Sequence, residues 1–127
     1  MKYSKQRELI YEAVMKNQVH PTADTVYSII REENPNISLG TVYRNLNFLA
    51  DNGLLLKIAM PDAPDRFDGR IDEHYHMSCI YCKTIFDIEP EAVSDFLNKI
   101  SDSSGFLIEK AHLVVEGICL NCKDKCN

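Results

Sequence analysis

The chain has 127 residues, with 14 Lys plus Arg against 19 Asp plus Glu, 45% hydrophobic and 26% charged residues. That is the profile of one soluble globular unit or two small ones, and the net charge of -5 excludes a nonspecific polycation while leaving a local DNA-facing patch open. The opening MKYSKQRE is polar and no apolar run is long enough to span a bilayer, so neither secretion nor membrane insertion is expected and the expected location is the cytoplasm. In that compartment the five cysteines are reduced, and paired Cys-x-x-Cys units read as metal ligands before they read as disulfides.

Ser4 is a fitting N-cap for a helix through about Lys16, with Leu9, Ile10, Ala13 and Val14 at helical spacing on one face. A break at Asn17 to Pro21 precedes a second helix from Thr22 through Glu33, whose stripe is Val26, Tyr27, Ile29 and Ile30 and whose stop signal is Pro35. Ser38 starts a third helix in which Val42, Leu46 and Leu49 face inward and Gly53 supplies the left-handed stop. Its other face carries Gly40, Thr41, Tyr43, Arg44, Asn45 and Asn47, a set of donors, acceptors, one aromatic and one arginine that suits base edges and phosphates. The short NPNIS connection, the apolar LLLKIA and the return segment DRFD then predict a winged helix-turn-helix. On three helices alone, DNA binding and an ordinary polar helical surface remain equally open.

Pro61, Pro64 and Gly69 among Asp62, Asp65, Asp68 and Asp72 predict a hinge between about 60 and 72, which divides the chain into 1–68 and 69–127. The first part holds 8 basic and 9 acidic residues (net -1) and the second 6 and 10 (net -4), so a DNA-facing surface belongs in the first. In the second part EHYHMSC and TIFDI predict strands. PEAVSDFLNKIS predicts a helix with Pro90 first and Val93, Phe96, Leu97 and Ile100 buried, and FLIEKAHLVVEGI a last strand.

Cys79-x-x-Cys82 and Cys119-x-x-Cys122, with 36 residues between them, give four thiolates, the tetrahedral soft-donor set that zinc prefers. Four sulfurs leave no open position, so the zinc is expected to be structural, tying the first strand of the second part to its C-terminus. Cys126 is a spare tail thiol. His74 and His76, two apart on a strand, point to one face and make half a metal site, while Cys79 falls on the opposite parity. Asp68, Asp87 and His20 complete a possible set of three nitrogens and two carboxylates. From the residues alone, a plain surface strand with an unrelated loop histidine stays open beside it.

Taken in order from about residue 4 to residue 122, HPTADTVYSII, SLGTVYRNLNFLADNGLL, RFD, HYHMSCIYC and GICLNC resemble the ferric uptake regulator (Fur) family of metal-dependent bacterial transcription regulators. The resemblance implies an α+β fold: an N-terminal winged helix-turn-helix domain that binds a palindromic double-stranded DNA operator, then a small α/β dimerisation domain with the four-cysteine zinc site, in a homodimer. The peroxide-sensing PerR branch is the most similar. The resemblance to it places a regulatory Fe(II) or Mn(II) on His20, Asp68, His74, His76 and Asp87, and implies that iron-driven cleavage of hydrogen peroxide oxidises a ligand imidazole, with His20 and His74 the expected targets. Fur-type relatives usually carry Glu where Asp68 and Asp87 stand, and their extra metal site uses His-His-Asp-His where this chain has Glu73, His74, Tyr75 and His76. His112 stands one place out of register for that extra site and reads as a strand residue, not a ligand. Zinc-sensing relatives commonly place a thiolate in the regulatory site, and here all five cysteines are in the two pairs or the tail.

The five donors are divided by the hinge, so metal gain is expected to fix the angle between the domains and, in a dimer, the spacing of two recognition helices on major grooves about 34 Å apart. Thr41, Tyr43, Arg44, Asn45 and Asn47 are the candidate DNA contacts. Because oxidation consumes the protein, no enzymatic turnover is expected. The alternatives are an iron- or manganese-responsive repressor without peroxide sensing, a metallohydrolase, for which no HExxH or comparable arrangement exists, and a zinc-stabilised interaction module with an incidental His cluster.

Overall fold

Ser4, Thr22 and Ser38 each turn a side-chain oxygen onto the backbone N–H three residues ahead, which satisfies one of the orphan donors at a helix start. They open α1 (Lys5–Lys16), α2 (Ala23–Arg31) and α3 (Leu39–Asp51). The computed structural model describes residues 4–17 and 20–125, so Cys126 lies outside the described residues. The chain divides into two units, Met1–Ile71 and Asp72–Asn127.

In the first unit α1, α2 and α3 close over one apolar cluster that includes Ile10, Val14, Val26, Val42, Leu46 and Phe67. The helix from Thr22 is shorter than expected at both ends: Thr22 caps it, and the N–H groups of Glu33 and Asn34 both fold back onto the Ile30 carbonyl. Pro35 disfavours helical geometry at Asn34, so the last turn tightens and stops. Ile29, expected in the buried stripe, is exposed, because the stripe is narrower and rests on Val26 and Ile30. β1 (Leu56–Ile58) and β2 (Arg66–Asp68) pair antiparallel, with Lys57 opposite Phe67, and form the wing. β2 also leans on the segment before α2, since Phe67 N–H donates to the Pro21 carbonyl at 2.9 Å.

In the second unit β3 (Tyr75–Cys79) is the middle of a sheet, antiparallel to β4 (Ile85–Ile88) and parallel to β5 (Val114–Gly117). A 3-10 turn at Pro90–Ala92 and α4 (Ser94–Ser104) form the crossover, and α5 (Leu120–Lys125) closes the described chain. The last strand covers only Val114–Gly117, so His112 lies outside it, exposed in an irregular segment. The expected buried face of α4 is also largely open: Val93 is buried, but Phe96 and Ile100 are exposed, as are Phe106 and Leu107 after the helix. The sheet face bearing Met77, Phe86 and Val115 is likewise uncovered and continues with Ile118 and Leu120 into a groove of about 360 Å3. A unit this small cannot cover all its apolar residues with its own chain.

Candidate metal centres and nucleic-acid face

Parallel pairing of β3 with β5 sets Cys79 opposite Gly117, and the Ile80 N–H donates to the Gly117 carbonyl at 2.8 Å. Cys119 follows two residues later and Cys122 lies on α5, while the turn after β3 brings Cys82 back. The four sulfurs lie within 4.8 Å of one another. Zinc–sulfur bonds of about 2.3 Å put the sulfurs of a tetrahedron about 3.8 Å apart. The Cys82 and Cys119 sulfurs are 3.8 Å apart, and the backbone N–H groups of Cys82 and Cys119 both point at the Cys79 sulfur from 3.5 Å. Those two groups, that of Cys119 first, lower the Cys79 thiol to about 6, whereas the hydrogen bond with Cys119 heads the causes that push Cys122 up to about 12. Four thiolates this close repel one another, and a dication relieves that conflict. The donor set, spacing and closed coordination fit a structural zinc.

Of the histidine and aspartate candidates, His20 and Asp68 lie in the first unit and His74, His76 and Asp87 in the second. In the first unit His20 Nε2 and Asp68 Oδ2 are 3.2 Å apart, and the other Asp68 oxygen accepts from the Arg70 N–H at 2.9 Å. His20 is buried with a positive φ of 56°, a conformation costly for most side chains and frequent at functional positions. Arg66 of β2 donates to its backbone carbonyl at 3.1 Å, so the strand that carries Asp68 also holds His20.

In the second unit the β3–β4 register sets Asp87 directly opposite His76. His74, just ahead of β3, donates from Nδ1 to the Asp72 carbonyl at 2.6 Å, which turns Nε2 toward His76. The two Nε2 atoms are 3.1 Å apart, and Asp87 Oδ1 lies 3.6 Å from that of His74 and 3.7 Å from that of His76. Adjacent ligands around a six-coordinate ion at about 2.1 Å are separated by about 3 Å, so this is close to a facial two-histidine, one-carboxylate set. Such a mixture of imidazole and carboxylate suits Fe(II) or Mn(II). Both imidazoles are buried, and Tyr75 between them turns to the other side, where its hydroxyl donates to Glu73 at 2.6 Å. His112 belongs to neither group among the described residues.

On α3, Tyr43 and Arg44 are exposed. Arg44 lies back along the helix and donates to the Thr41 hydroxyl at 3.0 Å, in space that the missing side chain of Gly40 leaves open. Asn45 is turned inward: its amide donates to the Thr41 carbonyl at 2.9 Å and its oxygen accepts from Arg7 at 3.2 Å, with the Arg7 guanidinium 3.9 Å above the Phe48 ring. Asn47 accepts from Lys57 at 3.0 Å. Sequence reasoning passed over Arg7, Lys57 and Arg66. Only Lys57 carried a local signal, a cation between Leu56 and Ile58 on an alternating strand.

A winged-helix unit followed by a small sheet with a closed thiolate centre and a histidine–carboxylate set defines a class of metal-binding regulator. The profile of the Ferric uptake regulator family matches residues 1–116, and the chain belongs to that family of metal-responsive transcription regulators. It is 33% identical over 122 residues to the Peroxide operon regulator of Bacillus subtilis, covering 96% of this chain and 84% of that one. Among solved structures, the Campylobacter jejuni peroxide stress regulator is 28% identical with a TM-score of 0.75, covering 92% of this chain and 88% of that one. The Helicobacter pylori ferric uptake regulator Fur, 22% identical with a TM-score of 0.86 over 97% of this chain and 83% of its own, shares the fold. No helix among the described residues is long and apolar enough to cross a membrane.

Proposed function

We propose that the chain is a metal-dependent, DNA-binding transcriptional repressor that senses hydrogen peroxide. The observation that carries this reading is the convergence of two buried imidazole nitrogens, His74 Nε2 and His76 Nε2, with an oxygen of the exposed Asp87. The similarity to regulators named for peroxide supports it. The regulatory Fe(II) or Mn(II) takes these donors together with His20 and Asp68, so that metal gain couples residues 1–68, the DNA-binding domain, to 69–127, the dimerisation domain. Thr41, Tyr43 and Arg44 meet the duplex, Asn47 lies at the edge of that face, and Asn45 acts from inside by holding α3. A second copy of the chain covers the apolar face of the second unit, and the homodimer matches a palindromic operator.

When bound, Fe(II) supplies the electron that cleaves hydrogen peroxide next to its ligands. His20 or His74 would take up one peroxide oxygen at a ring carbon, the other oxygen would leave as water and the ring would return one electron to the iron. An oxidised imidazole is a poorer donor, so the two halves uncouple and DNA is released. The event consumes the protein, acts in the cytoplasm and is not catalysis.

The test is duplex binding by zinc-replete protein loaded with Fe(II) or Mn(II), before and after peroxide, with peptide mass spectrometry on the same samples. DNA loss from the peroxide-treated iron form alone, with oxygen on His20 or His74, is the expected result. Retention of DNA and unmodified histidines in that form, with release on metal removal, would instead identify an iron- or manganese-responsive repressor.

A further inference from the structure

The wing carries a cation whose role the metal chemistry does not explain. β1 alternates, with Ile58 buried and Lys57 turned outward. The Lys57 ammonium lies 3.0 Å from the Asn47 oxygen on α3 and 3.5 Å from an Asp65 carboxylate oxygen at the return of the wing. It stands at the seam between the exposed face of α3 and the wing, where a duplex laid along α3 brings a phosphate strand. Residues 1–68 have a net charge of -1 (8 basic, 9 acidic), so each exposed cation beside α3 counts.

We propose that Lys57 is a DNA-phosphate anchor and that Asp65 competes with the phosphate for it, which makes Asp65 an electrostatic brake on DNA binding. Both side chains are more than a third exposed, at 43% and 36%, so their ion pair is weak and screened. A phosphate, surrounded by others along the backbone, outcompetes one carboxylate, but it must do so against Asp65's repulsion. Asn47 keeps the ammonium at the edge of α3 in the free protein, so the anchor is in position before DNA arrives. This inference rests on the DNA-binding reading above and adds the component of affinity that carries no sequence information.

The test uses the full-length, Mn(II)-loaded protein, a fluorescent duplex selected on it from a random pool, and a random-sequence duplex of equal length. Lys57→Gln is expected to weaken both duplexes alike and to lower the slope of log K against log salt by about one per protomer. Asp65→Asn is expected to tighten both about two- to fivefold, and most of that gain should vanish in the double variant, because the two side chains act on one contact. Arg44→Gln, in contrast, should weaken the selected duplex far more than the random one. An unchanged salt slope in Lys57→Gln, or an undiminished Asp65→Asn gain in its background, overturns the anchor while leaving DNA binding intact. If the unaltered protein holds neither duplex, the DNA-binding reading fails and the anchor with it.

Discussion

Arg66 donates to the backbone carbonyl of His20 across 46 positions of sequence, so a wing strand holds this positive-φ residue in place. The same strand presents Asp68, 3.2 Å from the His20 imidazole. Arg66→Gln is therefore expected to lower Mn(II) affinity by about tenfold, as loss of a residue that orients a ligand does, without altering zinc content. A Mn(II) titration that matches the unaltered protein would remove Arg66 from this role.

Chelation of zinc under reducing conditions should dissolve the second unit and spare the first. Cys79 ends β3 and Cys119 follows β5 by two residues, and the unit's apolar residues are largely exposed, so the metal carries much of its cohesion. Helical circular dichroism should persist while proteolysis becomes fast beyond residue 72. Cys82→Ser should behave similarly at low zinc.

The Tyr75 phenol is pushed up from 10.0 to about 12, chiefly by its hydrogen bond to Glu73, with burial and the Glu73 charge adding. Phenol is charged when it loses its proton, so the folded chain holds the proton more tightly than the unfolded one. The contribution is fully present below about pH 10 and is lost as pH rises toward about 12. Tyr75→Phe should flatten the alkaline loss of stability in that window. Equal slopes in denaturant melts of both proteins above pH 10 would show that the hydrogen bond does not hold the proton.

Phe67 is fully buried in the core of the first unit, although it sits on a strand of only three residues. Phe67→Ala should cost about 3–5 kcal/mol in urea unfolding of that unit. A cost below about 1 kcal/mol would mean that the wing does not share the helical core.

The first unit was the more legible in sequence because its signals are local. Ser4, Thr22 and Ser38 announce helix starts at the residue where each occurs, and Val42, Leu46 and Leu49 recur at helical spacing. The four cysteines were equally plain from spacing. The second unit resisted where its structure is non-local: the parallel pairing of β3 with β5 depends on a crossover, and nothing in FLIEKAHLVVEGI marks that only four of its residues pair. The amphipathic pattern of α4 was legible, but Phe96 and Ile100 find no cover within the described residues. Period-two spacing put His74 and His76 on one side, whereas the register that sets Asp87 opposite His76 had to be seen.

One five-residue strand, β3, begins beside His74, contains His76 and ends on Cys79. Three residues of extended chain, about 10 Å, separate the imidazole of one centre from the thiolate of the other. A slip of one position at the sulfur end would turn His76 away from Asp87. By pinning that end, zinc would set the alignment of His76 with Asp87, so that in the proposed function a cell's zinc supply becomes a precondition for the response to iron or manganese.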